Sequence, residues 1–371
     1  MQKRTIRLLA LLCAVLLLLP GCGSGTEQKP GTFVFETKGT RPEKLSNVWM
    51  CPKSLDNGAL IPGFADDLTN ADNWPILLEH TSTIKLYIEY ISRISAPDLK
   101  KIAAFVDEHK LRVSVEVGGV RAADPAVDDS GAGRSAAERE FLVLSKFLLA
   151  GGRIDSITTD HALASEITGR TKDRPDMTMQ QYMQQQMEYY RYMIEKMPRL
   201  KVGAIESLGF FWVKSPKKQY KATDGLLDRV DFEEYMSELV RIAKENDIEI
   251  DHFEIDFGMH DIEYDGDWGR VLAVEDYVQG LGVRSGFIAG NAFHKGTIPL
   301  KGEENLLRAA QSAAERTLAY FEGYEQAGGH SDYLVFQRWQ NVPVAVGDET
   351  TPLSSFGIFK SLLDSPYFPK D

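Results

Sequence analysis

Cysteine is scarce in this chain: there are three in 371 residues, Cys13, Cys22 and Cys51. A disulfide-stapled scaffold is excluded, so stability must come from an ordinary packed core. Positive charge is in deficit as well, with a net charge of −12. Binding along a nucleic acid needs a basic face, and the one Lys-rich stretch, Lys214 to Lys221, reads as a solvated loop, so no nucleic acid is expected as a partner. Long apolar runs are missing too. Leu8 to Leu19 falls short of the roughly 20 residues that a spanning helix needs. No internal repeat and no long low-complexity tract breaks the chain, which leaves a single alternating pattern of strand-like and helix-like segments to its end.

The N-terminal residues read as a targeting segment. Lys3, Arg4 and Arg7 precede the apolar run, which ends in Leu19-Pro20-Gly21-Cys22-Gly23. This ending resembles the lipobox of bacterial lipoproteins. The resemblance implies that residues 1–21 are a signal peptide, that Cys22 is acylated, and that the protein sits lipid-anchored in the cell envelope, on the extracytoplasmic side of a bacterial membrane. Residues 22–44, rich in Gly, Thr, Lys, Glu and Pro, read as a flexible tether. Residues 45–371 then form one domain, expected to act as a monomer. Cys51 is left without a partner.

The domain is organised around His252 to His260. Phe253, Ile255 and Phe257 share one parity and Glu254 and Asp256 the other, the period of a strand with one greasy and one acidic face. Similar strands are expected at Val48–Met50, Ile84–Ile88, Arg112–Val117, Ile154–Thr159, Lys201–Ile205, Val283–Ala289 and Tyr333–Trp339, each followed by a helical segment. Ser95 with Asp98, and Ser135 with Glu138, are expected to cap two of those helices. Eight strand–helix units predict an α/β fold, a single (β/α)8 TIM barrel. The strand-to-helix loops are long and the return loops short, so the loops are spent on the face where such barrels carry their active sites.

The same parity places Lys85, Tyr87 and Glu89 inward, then Ser114 and Glu116, Thr158 and Asp160, Ala204 and Glu206, Glu254 and Asp256, and Gln337 and Trp339, with Asn291 if the seventh strand runs that far. Glu89, Glu116 and Glu254 have Lys85 or Arg112 in reach, so each reads either as a buried ion pair or as a sugar contact. Asp160 opens a long loop, and Glu206 precedes the aromatic run Phe210-Phe211-Trp212. His161, His260, Trp212 and Trp339 complete the rim as hydroxyl-binding or stacking groups. Glycoside hydrolysis needs two carboxyl groups beside the anomeric carbon, with aromatic walls and amides to hold the sugar. Asp160, Asp256 and Glu206 are therefore the catalytic candidates, an oligo- or polysaccharide is the expected substrate, and the reaction requires no cofactor or metal.

The barrel pattern, the lipobox, and the ending Gln337-Arg338-Trp339-Gln340 with Gly347-Asp348-Glu349-Thr350 resemble bacterial (β/α)8 glycoside hydrolases. In the α-galactosidase-like clan an aspartate ending the fourth strand is the nucleophile and one at the sixth the acid/base. That resemblance implies Asp160 and Asp256 for these roles. The chain departs from the commonest retaining clan, because Val283 to Asn291 carries no acid. Two rivals remain open. One is a metal-dependent sugar isomerase or epimerase using Glu116, Glu206, Asp256 and His260. The other is a surface glycan-binding protein without turnover.

Overall fold

The structure is a computed structural model that describes residues 47–56, 58–168, 177–222, 229–290, 298–299, 301–339, 342 and 345–369. Cys22, the signal and tether segments and Asn291 lie outside the described residues.

Eight parallel strands close into a barrel: β1 (Val48–Cys51), β2 (Thr81–Tyr87), β3 (Arg112–Val117), β4 (Ser156–Asp160), β5 (Lys201–Ser207), β6 (Ile250–Asp256), β7 (Arg284–Ile288) and β8 (Tyr333–Gln337). Each strand pairs with its sequence neighbours, and β1 closes the ring against β8 with Cys51 opposite Gln337. The ring of helices is α1 (Pro75–His80), α2 (Ala96–Glu108), α3 (Ala132–Leu149), α4 (Met179–Lys196), α5 (Phe232–Glu245), α6 (Gly269–Gly280), α7 (Glu303–Gln326) and α8 (Ser355–Leu363). The expected (β/α)8 class is the observed one.

Local chemistry sets several of the helix starts. The Ser95 hydroxyl accepts the Asp98 amide at the start of α2, and Pro97 lies in its first turn, where its missing N–H costs nothing. Thr178 and Gln181 form a reciprocal capping box on α4. The Ser135–Glu138 cap does not form. α3 begins earlier, at Ala132, behind a turn closed by Asp128, while Ser135 Oγ accepts the Asp124 amide and Glu138 pairs with Arg134 on the surface.

The main apolar core lies between the strands and the helices. Trp74, fully buried, stacks on Phe356 at 5.0 Å and donates its indole N–H to Leu68, which locks the ends of the helical ring together. The sequence Gly347–Thr350 serves the same closure: Glu349 accepts the amides of Ile76 and Leu77 at the start of α1. A second, small core fills the barrel itself, made of Trp49, Ile205, Ile288, Tyr333 and Val335. Among the described residues no helix is long and apolar enough to cross a membrane.

Candidate active site

The barrel interior rises from aromatic to charged. At the floor Trp49 stacks on Tyr333 at 4.4 Å, with the His252 ring edge-on at 5.3 Å. Gly203 makes room for that imidazole, since a Cβ there would stand 2.4 Å from the ring. Thr158 shares a 2.9 Å contact with His252 and donates to Glu254 at 3.3 Å.

Above this lies a buried ionic knot. Lys85 from β2 pairs with Glu254 from β6 and with Glu116 from β3, the latter at 2.9 Å, and donates to Gln337 Oε1 at 2.9 Å. Gln337 Nε2 in turn donates to Glu116 at 2.9 Å. Burial alone would strip the lysine of its proton. Glu254 and Glu116 outweigh that cost and raise its pKa, so the knot keeps its cation. For Glu116 burial wins: its pKa is pushed up to about 7, with Lys85 opposing the shift and Asp160 adding to it. Its side chain is 12% exposed, so it reaches the mouth, whereas that of Glu254 is fully enclosed.

At the mouth, Asp160 ends β4 and Asp256 ends β6, with His161 between them. His161 Nε2 lies 3.3 Å from Asp160 Oδ1 and 3.4 Å from Asp256 Oδ2, and Nδ1 lies 3.6 Å from Glu206 Oε2. His161 adopts a left-handed backbone with φ 46°, a strain of about 1–3 kcal/mol for a non-glycine residue that only surrounding contacts can hold. Those contacts are present. Its amide donates to Ile205 O at 3.0 Å, its carbonyl accepts Ser165 Oγ at 2.7 Å, and Phe210 stands edge-on to the ring at 5.4 Å.

Burial pushes the His161 pKa down, but Asp160, Asp256 and Glu206 outweigh it and lift it well above the ordinary histidine value. The Ser207 amide, 3.0 Å from Nδ1, works the other way because it can donate only to an unprotonated nitrogen. One neutral amide against three carboxylates leaves the imidazolium favoured.

Glu206 is not an inward residue. Val202 and Ala204 join the outer core while Ile205 packs inside the barrel, so the parity of β5 is the reverse of that expected. Both faces of this strand carry small or apolar residues, and alternation could not choose between them. Glu206 stands behind the strand, buried. Its Oε1 accepts Tyr235 Oη at 2.7 Å and the Ala164 amide at 3.4 Å, and it supports His161 from the rear.

Three other expectations change. β2 ends at Tyr87 and a short helix follows, so Glu89 lies exposed in its first turn rather than in the mouth. Trp212 presents its ring to Arg229 at 4.1 Å and Lys221 at 5.6 Å, and Phe210 is the aromatic that meets His161. His260 sits on the short helix Met259–Asp265, 66% exposed, with Asp261 at 3.2 Å. Trp339 is half-buried against the interior aromatic core. The neighbouring Arg338 is fully buried and donates to Gly290 O, Thr317 Oγ1 and Val342 O, a clamp on the barrel top.

Cys51 and Lys85 stand beside Glu116 and Glu254 in the same interior. Cys51 follows the interior Trp49 by two residues, but β1 reads as four apolar residues and shows no alternation. Among the described residues no group of three or more His, Cys, Asp and Glu side chains is arranged to hold a metal ion.

No protein-family model matches the sequence, and no curated protein matches it. Solved structures do resemble it. A fungal β-1,4-galactanase is 12% identical, with 85% of this chain and 99% of its own covered and a TM-score of 0.49. A xylanase from Cellvibrio japonicus is 12% identical over 86% of this chain and 98% of its own, with a TM-score of 0.47. A 3-keto-D-glucoside 4-epimerase from E. coli is 12% identical over 86% and 100%, with a TM-score of 0.41. At such identities and scores the barrel rests on its own strand pairing, and the chemistry on its own residues.

Proposed function

We propose that the protein is a glycan-acting hydrolase working at the mouth of the barrel. What carries the reading is that two carboxylates, from the ends of β4 and β6, meet on one imidazole above a closed interior. Because both contacts share one nitrogen, the two oxygens are at most about 6.7 Å apart, near enough to face one sugar ring together. Asp160, with its side chain 37% exposed, is the nucleophile. Asp256, 16% exposed and charge-paired with His161, supports the positive charge that develops at the anomeric carbon. Glu206 is reassigned from catalysis to positioning, through His161.

The segment ending in Cys22 supports a second part of the proposal, that acyl chains anchor the enzyme outside a bacterial membrane where polymeric glycans are met.

The test is a panel of aryl glycosides and polysaccharides incubated with wild-type protein, with and without EDTA. Release of reducing sugar or phenol that survives EDTA is the expected result. Turnover abolished by EDTA and restored by a divalent cation favours a metal-dependent sugar enzyme. Binding without turnover leaves only a recognition protein.

A further inference from the structure

We infer that Glu116 is the proton donor to the departing sugar. The inference rests on the hydrolase reading above and deepens it. Asp160 and Asp256 are both engaged by His161, and Glu116 is a further carboxyl group that opens to the mouth. Glu116 stands on β3, the strand next to that of Asp160, and pairs in register with Thr158, two residues below it. It therefore lies one step down the same wall, open to the mouth by a narrow margin.

The groups around it come from five strands: Cys51 from β1, Lys85 and Tyr87 from β2, Asp160 from β4, Glu254 from β6 and Gln337 from β8. Lys85 and Gln337 both contact Oε2, which assigns the proton to Oε1. Burial, and the negative charge of Asp160 beside it, raise the share of Glu116 that holds this proton near neutral pH. Two carboxyl groups, one dry and one wet, are thereby given opposite jobs by their surroundings.

The step balances. The Glu116 proton passes to the glycosidic oxygen as its bond to the anomeric carbon breaks, and the bonding pair stays on that oxygen. Asp160 bonds to the carbon. Water, giving a proton back to Glu116, then displaces Asp160 and releases the second sugar.

The experiment compares Glu116→Gln with wild type on phenyl and 2,4-dinitrophenyl glycosides, with the Glu116 titration read by infrared difference spectroscopy. A phenolate that departs poorly needs the acid, and a dinitrophenolate does not. We expect turnover of the phenyl glycoside to fall at least about 100-fold and that of the dinitrophenyl glycoside less than 10-fold. We also expect a carboxyl titration near 7 that is absent from Glu116→Gln and moves down in Asp160→Asn because a charge raising it is gone, while those of Glu140 and Glu325 move in neither. The infrared reading needs no activity, so Asp160→Asn informs even if Glu116→Gln fails to fold. Equal losses on both substrates, no loss on either, or a titration that ignores Asp160→Asn overturns the donor role and leaves the hydrolase reading standing. If wild type cleaves no glycoside at all, the hydrolase reading falls and the donor role with it.

Discussion

A single side chain, His161, shows how much of this site is decided residue by residue. It sits in a backbone region that favours glycine, and its hydrogen bonds with Ile205 and Ser165 and the edge of Phe210 hold it there. An imidazole in such a pose costs free energy that packing alone gives no reason to spend, and strain of this kind concentrates at functional sites. Lys85 makes the complementary point. Removing either partner of the buried Lys85–Glu254 pair leaves an uncompensated charge and costs about 3–5 kcal/mol, so these two behave as one unit. Parity placed Asp160, Asp256, Glu116 and Glu254 correctly, because in their strands one face is apolar and the other is not. It failed for Glu206, where both faces of Lys201–Ser207 suit an interior.

Elements bring these residues together, and the loop after β3 depends on a residue far from the chemistry. Glu140 of α3 accepts the amides of Gly118 at 2.8 Å and Gly119 at 3.2 Å and the hydroxyl of Tyr189 at 2.7 Å. Gly119 is required in that turn: its φ is 60°, and a Cβ would lie 2.8 Å from Gln186. Burial pushes the Glu140 carboxyl up to about 7 against the pull of Tyr189 and the two amides. A raised carboxyl pKa means that the folded state holds the proton more tightly. The contribution is complete below the unfolded value, about 4.3, and is lost as pH rises through about 7. Glu140→Ala should cost about 1–3 kcal/mol in urea unfolding at pH 5 and less at pH 8. A penalty that grows with pH would mean that the carboxylate, not the acid, holds this loop. None of this clasp was legible beforehand, since Glu140 lies on a helix and its partners come from the third strand's loop and from α4.

The whole molecule was the most legible level. Eight alternations of strand and helix period specify a barrel, and the observed strands differ from the expected ones by a few residues at their ends. The N-terminal anchor is a separate proposition with its own check. The full chain made in a bacterium should enter the detergent phase of Triton X-114, and Cys22→Ser should stay in the aqueous phase. Both forms in the aqueous phase would remove the anchor and leave the barrel's chemistry untouched. For that chemistry the most direct measurement is kcat for Asp160→Asn and Asp256→Asn on a glycoside that wild type cleaves, read beside their melting curves. Turnover should fall at least about 100-fold in each while the melting temperature stays put. Full turnover in either variant, or loss of folding in both, would contradict the account.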